Sequence, residues 1–235
     1  MPLQAIADGL WQKVDHLRFP GGVRLPAAMT VVRLADGALA LHSPVRIDDR
    51  EAAAIDALGS VRHIVAPNCF HHLFVAAAHA RWPHAALHGA PGLARKRPDL
   101  RWTCELGDVA LPEFGAALEQ VWVRGAPRLN EVVFFHRDSA TLLTTDLIFH
   151  VREPLSWPTR LALTTMGTRD RLAQSRLWWW YARDRSAFLA SVDKLTAWPF
   201  RRVTMSHGSP VEVGPRELLA AMWMCRDRVP ALPGA

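Results

Sequence analysis

Cysteine is scarce in this chain. Cys69, Cys104 and Cys225 are odd in number, far apart, and form no C-x-x-C pair. That argues against a disulfide framework and against a zinc knuckle, and makes a reducing cytoplasm the expected compartment. Long apolar runs are also missing. The longest stretch free of Asp, Glu, Lys and Arg, His63 to Ala80, is interrupted by Pro67, Asn68 and further histidines, whereas a membrane span needs roughly 18 predominantly apolar residues. Met1 to Asp8 carry no basic segment and an early acid, so no signal peptide is expected. No G-x-S-x-G elbow is present for a serine hydrolase. Lysine is rare, so the net charge of +6 is almost all arginine. The arginines are spread, with clusters only at Arg95-Lys96-Arg97 and Arg201-Arg202. Without a basic stripe and interleaved aromatics, no specific nucleic-acid role is expected.

What is present is a chain of 235 residues, half of them hydrophobic, without repeat, low-complexity segment or linker. One domain over residues 1–235 is expected. Leu10-Trp11 and Val23 to Pro26 read as a leading strand and a turn. Met29 to Leu34 and Ala38 to His42 read as a hairpin closed by Asp36-Gly37. Asp48-Asp49 opens a helix to about Leu58, stopped by Gly59. A buried strand, His63 to Ala66, breaks at Pro67-Asn68 and is followed by His71-His72 and a helical run, Leu73 to Arg81. Ala85 to His88, Ala117 to Val123, Glu131 to His136 and Thr141 to Thr144 follow as strands. Pro154, Trp157 and Pro158 punctuate the next segment, and a long helix is expected from about Arg169 to Ala197. Within it, Trp178, Trp179, Trp180 and Tyr181 cannot share one helix face, because each residue turns by about 100°. Some belong to the core, and the others meet a second surface: a loop, another subunit or the membrane interface. A strand from Arg202 delivers Ser206-His207-Gly208, and a last helix starts at Pro215 and runs to about Arg226.

Three polar features share one topological position. His71-His72, Asp146 and His207 each follow closely after an apolar strand. Strand ends gathered at one side of a sheet bring such residues together in α/β folds. Imidazole nitrogen and carboxylate oxygen suit Zn²⁺ or another divalent metal, which lowers the pKa of a bound water. Each residue also has a plainer reading: His71 as a cap or packed ring, Asp146 as a helix N-cap, His207 as a buried donor to a carbonyl. Cys69 beside them reads as a buried thiol rather than a nucleophile.

The order of these features resembles the metallo-β-lactamase fold: a strand hairpin, a helix, a strand ending in histidines, a later strand followed by Asp, and a final strand ending in His. Ala66-Pro67-Asn68 with His71-His72-Leu73-Phe74, the Pro91-Gly92-Leu93 turn, Leu143-Thr144-Thr145-Asp146 and Ser206-His207-Gly208 resemble a branch of that superfamily, a domain family of unknown function. The resemblance spans roughly residues 10 to 225 and implies an αββα sandwich. It departs from the H-x-H-x-D-H motif. One alignment puts Pro67 and Cys69 at the first two histidines, and another puts Asn68 and Phe70 there with His72 at the aspartate. Gly125, where a further histidine is expected to follow, precedes Ala126-Pro127, leaving Glu131 or His136 as substitutes. The resemblance therefore implies one divalent metal (zinc, iron or manganese) or none, with His71, His72, Asp146 and His207 as ligands and Asp146 and His72 as catalytic groups. The implied activity is hydrolysis of an ester, amide or phosphoester by metal-bound hydroxide, with Arg128 or Arg95 holding an anionic substrate group. The alternative is a non-catalytic protein of the same fold that binds a small molecule or a partner through the Trp178 to Tyr181 region.

Overall fold

The computed structural model describes residues 3–153 and 155–228. Pro154, one of the expected breaks, lies outside the described residues, as do the two ends of the chain. Strands β1 (Gln4–Ala7), β2 (Leu10–Arg18), β3 (Arg24–Arg33) and β4 (Leu39–His42) form an antiparallel meander. It continues in parallel through β5 (Val61–Ala66), β6 (Ala86–Gly89) and β7 (Cys104–Glu105), giving a seven-stranded sheet in chain order. The second sheet has the order β11-β10-β9-β8, from β8 (Leu118–Trp122), β9 (Val132–His136), β10 (Thr141–Leu143) and β11 (Arg202–Thr204). Only its β10–β11 pair is parallel.

The alternation of side chains along β9 shows how the layers stack. Val132 and Phe134 enter a core shared with Met29, Leu41, Ile64 and Leu143, between the two sheets. Val133 and Phe135 point the other way, into a second core with Phe188, Val192 and Leu195 of α6 (Arg185–Thr196) and Leu218 of α7 (Pro215–Ala221). Each such fully buried Leu or Phe stabilises by about 1.5–3 kcal/mol. On the first sheet, α1 (Asp49–Asp56) contributes Ile55, and α2 (Val75–Arg81) packs on β5 through Val75 and Ala78. The result is the expected αββα sandwich. Short α3 (Leu93–Lys96), α4 (Trp157–Met166) and the one-turn α5 (Trp178–Tyr181) complete the chain.

Local chemistry accounts for several elements. Asp48 caps α1, accepting from Glu51 N at 2.8 Å while the Glu51 carboxylate accepts from Asp48 N at 3.0 Å. The β3–β4 hairpin turns at Asp36-Gly37, where Gly37 takes φ +81 and Asp36 accepts from Ala38 N. Three expectations are corrected. The N-terminal pieces are two paired strands of nine and ten residues rather than short fragments. Their polar residues hide the pattern because they are buried with partners: Gln12 donates to Thr204 Oγ1, and Lys13 Nζ donates to the Arg46 carbonyl at 2.6 Å. The long helix from Arg169 does not form. Residues 169 and 173 bridge to Val151 and Phe149, Asp170 sits at φ +56, and the Gly125 carbonyl accepts from both Arg183 and Asp184 N. Asp184 then caps α6 by accepting from Ala187 N. The last helix also ends earlier than expected, at Ala221, and continues as a 3-10 turn from Trp223 to Arg228.

Candidate metal centre

The parallel arrangement of β4, β5 and β6, and of β10 and β11, sends their carboxyl ends toward one edge of the sandwich. There the loops after β5, β10 and β11 supply His71, Asp146 and His207. One ligand atom from each lies within 4.8 Å of the others. His71 Nε2 is 3.3 Å from Asp146 Oδ2, and His207 Nε2 is 3.2 Å from Asp146 Oδ1.

The loops are held by side chains that the sequence presents as ordinary turn residues. Asn68, fully buried, accepts from Phe70 N and His71 N, both at 2.8 Å, and so folds the chain back after β5. Its amide donates to Asp146 Oδ2 at 2.7 Å and Thr145 Oγ1 at 2.9 Å. Glu131, with no exposed surface, lies beneath the Asp146 loop and accepts from Thr145 N at 2.6 Å and Asp146 N at 3.0 Å. The Asp146 carbonyl accepts from Trp178 Nε1 at 2.8 Å. Gly208 follows His207 at φ +132, where a Cβ would sit 2.1 Å from the His150 carbonyl oxygen. No helix begins at Asp146, so the N-cap reading of that residue is set aside.

The outer nitrogens of both histidines are already engaged. His207 Nδ1 lies 2.7 Å from the Pro26 carbonyl, which accepts, so Nδ1 carries the proton and Nε2 faces Asp146. His71 Nδ1 is 2.7 Å from Ser43 Oγ. The His207 ring also stacks on Phe149, with centroids 4.8 Å apart. Burial pushes the Asp146 carboxyl up, but the His71 charge and the bonds from His207 and His71 outweigh it and hold the group well below the usual carboxylate range. Burial pulls His207 down, yet its bond to Asp146 prevails and its pKa is raised. Glu131 is pushed up to about 8, first by burial and then by the Asp146 charge.

Of the four expected ligands, three come together and His72 stands apart. Arg97 Nη1 donates to His72 Nδ1 at 3.1 Å, occupying its lone pair and leaving the proton on Nε2. Burial, then the Lys96 and Arg97 charges, lower its pKa. Neither proposed substitute for the missing histidine joins the group. Glu131 bonds backbone, and His136 lies opposite Thr141 at the far end of β9, bonded to Ser139 Oγ. Cys69 is buried with its thiol pushed up in pKa by that burial and its Sγ on the Pro91 carbonyl.

A cavity of about 430 Å³ opens over the three residues. Its walls are mostly apolar, among them Leu17, Phe19, Leu25, Phe70, Phe149 and Tyr181, and His72 and Lys96 also line it. Lys96, rather than Arg95 or Arg128, brings the cationic group. Its Nζ donates to the Cys69 carbonyl at 2.6 Å and lies 5.2 Å from the Phe70 ring centre. The four consecutive aromatics divide between surroundings. Trp178 is buried in the second core, Tyr181 packs on Phe70 at this cavity, and Trp179 and Trp180 are exposed at 72% and 71%.

No protein-family model matches the chain, and no curated protein matches it in sequence. Solved structures do match in fold. A metallo-β-lactamase from Pontibacter korlensis is similar at TM-score 0.63 and 14% identity, over 89% of this chain and 92% of its own. The metallo-β-lactamase FIM-1 from Pseudomonas aeruginosa, solved in its mono-zinc form, is similar at TM-score 0.61 and 16% identity, over 96% and 94%. The flavodiiron core Flv1 from Synechocystis, solved after metal soaking, is similar at TM-score 0.65 and 15% identity, over 92% of this chain and 58% of that one. The fold is therefore the metallo-β-lactamase fold. Among the described residues, no helix is long and apolar enough to cross a membrane.

Proposed function

We propose that the protein is a metal-dependent hydrolase in which His71, Asp146 and His207 hold one divalent cation at the floor of the apolar cavity. The observation that carries this reading is the convergence of the three side chains with both Nδ1 atoms engaged elsewhere. Their residues fit the group. Bonds of about 2.1 Å at tetrahedral angles place neighbouring ligand atoms about 3.4 Å apart. His71 Nε2 and His207 Nε2 stand 3.3 and 3.2 Å from the two different oxygens of Asp146, and one ligand atom from each residue lies within 4.8 Å of the others. Three protein ligands also leave a position open, as catalytic sites require. When bound, such a cation supplies Lewis acidity and activated water at neutral pH. Zinc is the first candidate, with iron or manganese next.

The chain's own residues do the rest. Ser43 and the Pro26 carbonyl orient the two rings, and Asn68 orients the aspartate. The apolar walls take the acyl or aryl part of an ester, amide or phosphoester and exclude water from it. The Lys96 ammonium faces a negative substrate group, and His72, with its proton on Nε2, offers a donor at the cavity wall. Three free cysteines fit a reducing compartment, so we assign the protein to the cytoplasm.

Hydrolysis of p-nitrophenyl esters of increasing acyl length and of aryl phosphoesters tests this reading. We expect metal-dependent turnover that rises with acyl length and disappears in Asp146→Ala. Turnover unaffected by chelation, or none across the panel with metal supplied, would overturn it. A second reading, a ligand-binding protein without turnover, draws support from the hydrogen-bond circuit that already satisfies His71, Asp146 and His207. Saturable binding of the same compounds without hydrolysis would favour it.

A further inference from the structure

A second cavity, of about 500 Å³, lies on the other side of α5 and shares no lining residue with the first. Trp179, Trp180 and Trp223 line it together with Arg171, Arg176 and Arg226, and no carboxylate does. Its size falls within the ordinary range for small-molecule sites, roughly 300–1,000 Å³. The three arginines have no acidic partner among the described residues. Arg171 spends Nε and Nη2 on the Gly167 carbonyl, at 2.9 and 2.7 Å, which fixes its guanidinium at the wall. Gly167 itself, at φ +76, lies close against Arg176: a Cβ there would come within 3.1 Å of Arg176 Nε. One glycine thus seats two guanidinium groups. Trp179 and Trp223 meet at 6.2 Å between ring centres, so two separate segments build the aromatic wall.

A further observation is independent of these. Gln174, only 2% exposed, lines the same cavity. Its Oε1 accepts from Met224 N, which fixes the amide's orientation, and its buried Nε2 has no partner among the described residues. A cationic and aromatic cleft with no carboxylate on its walls is suited to a flat ring that carries negative charge. Guanidinium forks match phosphate bidentately. Arg176 and Arg226 have theirs unspent among the described residues, and Arg171, held on the Gly167 carbonyl, adds a third positive charge that favours a dianion. Indole faces stack on planar rings.

We propose that this cleft binds a flat aromatic ring carrying a phosphate, the chemistry of a purine nucleoside monophosphate. It does not depend on the hydrolytic reading of the first cavity. The concave shape favours a small molecule over a lipid surface or a partner protein.

The test is calorimetric titration of the whole protein with AMP, with and without EDTA, and separately with adenosine, ribose 5-phosphate and inorganic phosphate. We expect saturable binding of AMP that EDTA and His207→Ala leave unchanged. The fragments should bind at least about tenfold more weakly, since each lacks the ring or the dianion. The exposed substitutions Arg176→Ala, Arg226→Ala and Trp180→Leu should each weaken AMP binding several-fold while circular dichroism stays unchanged. Absence of saturable binding, or binding abolished by EDTA or His207→Ala, would overturn the proposal. So would phosphatidylglycerol vesicles, rather than AMP, responding to the arginine substitutions.

Discussion

Lowering the pH from 7.5 to 5.0 should destabilise the protein through a histidine pair far from the candidate metal centre. His88 on β6 is 1% exposed and its Nε2 lies 3.0 Å from His63 Nδ1 on the neighbouring strand β5, with Phe114 edge-on to both rings at 5.4 and 5.5 Å. One nitrogen of the pair donates and the other accepts, so a further proton on His88 either crowds this contact or leaves a charged buried N–H without an acceptor. His88 Nδ1, buried, has no partner among the described residues. Burial, then the His63 charge, push His88 down to about 4, and burial lowers His63 as well. The unfolded chain takes up the proton near pH 6.5 and the folded protein only near 4. Acid therefore favours the unfolded state: this contribution is fully present above 6.5 and is lost as the pH falls from 6.5 toward 4. For His88 alone the loss is about 2 kcal/mol at pH 5 and about 3 kcal/mol at pH 4. Urea unfolding followed by tryptophan fluorescence at pH 7.5 and 5.0 measures it. In His88→Gln the drop between the two pH values should shrink by about 2 kcal/mol. Carboxylates and the histidines away from this pair titrate in both proteins and cancel, and the glutamine of His88→Gln keeps a hydrogen-bonding group opposite His63. An equal drop in both would mean that His88 does not carry this sensitivity to acid.

Three further outcomes follow from buried groups and backbone. Glu131→Leu leaves Thr145 and Asp146 N–H without acceptors, and urea unfolding should show a loss of about 3 kcal/mol. Gly208→Ala forces a Cβ against the His150 carbonyl at a left-handed φ and should cost about 3 kcal/mol or more, or prevent accumulation of folded protein, as a thermal melt will show. A thiol reagent should modify Cys104 quickly in the native protein and reach Cys69 and Cys225 only on unfolding, since both are buried.

The sandwich was legible in the sequence where local chemistry is strong. The Asp36-Gly37 turn, the Asp48 cap and the apolar strands before His71, Asp146 and His207 all form as their residues imply. The β2–β3 ribbon was illegible because Gln12 and Lys13 occupy buried positions through partners distant in the chain, which no local pattern encodes. The false long helix from Arg169 has the same origin. Bridges to Phe149 and Val151 and the Gly125 carbonyl take the backbone elsewhere. At the site, adjacency in sequence suggested that His71 and His72 act together, whereas the turn pinned by Asn68 sends one ring to Asp146 and the other to Arg97. Asn68 itself carried a signal, an Asx residue between a strand end and a histidine. Glu131 carried one too, as an acid opening an apolar strand, though its supporting place beneath Asp146 depends on the pairing of loops.

The most direct measurement is metal content by mass spectrometry on protein purified without an affinity tag, repeated for four variants. Close to one divalent metal per chain is expected, retained in His72→Ala and lost in His71→Ala, Asp146→Ala and His207→Ala while all remain folded. No stoichiometric metal in the native protein, or equal loss in His72→Ala, would contradict the proposed metal centre.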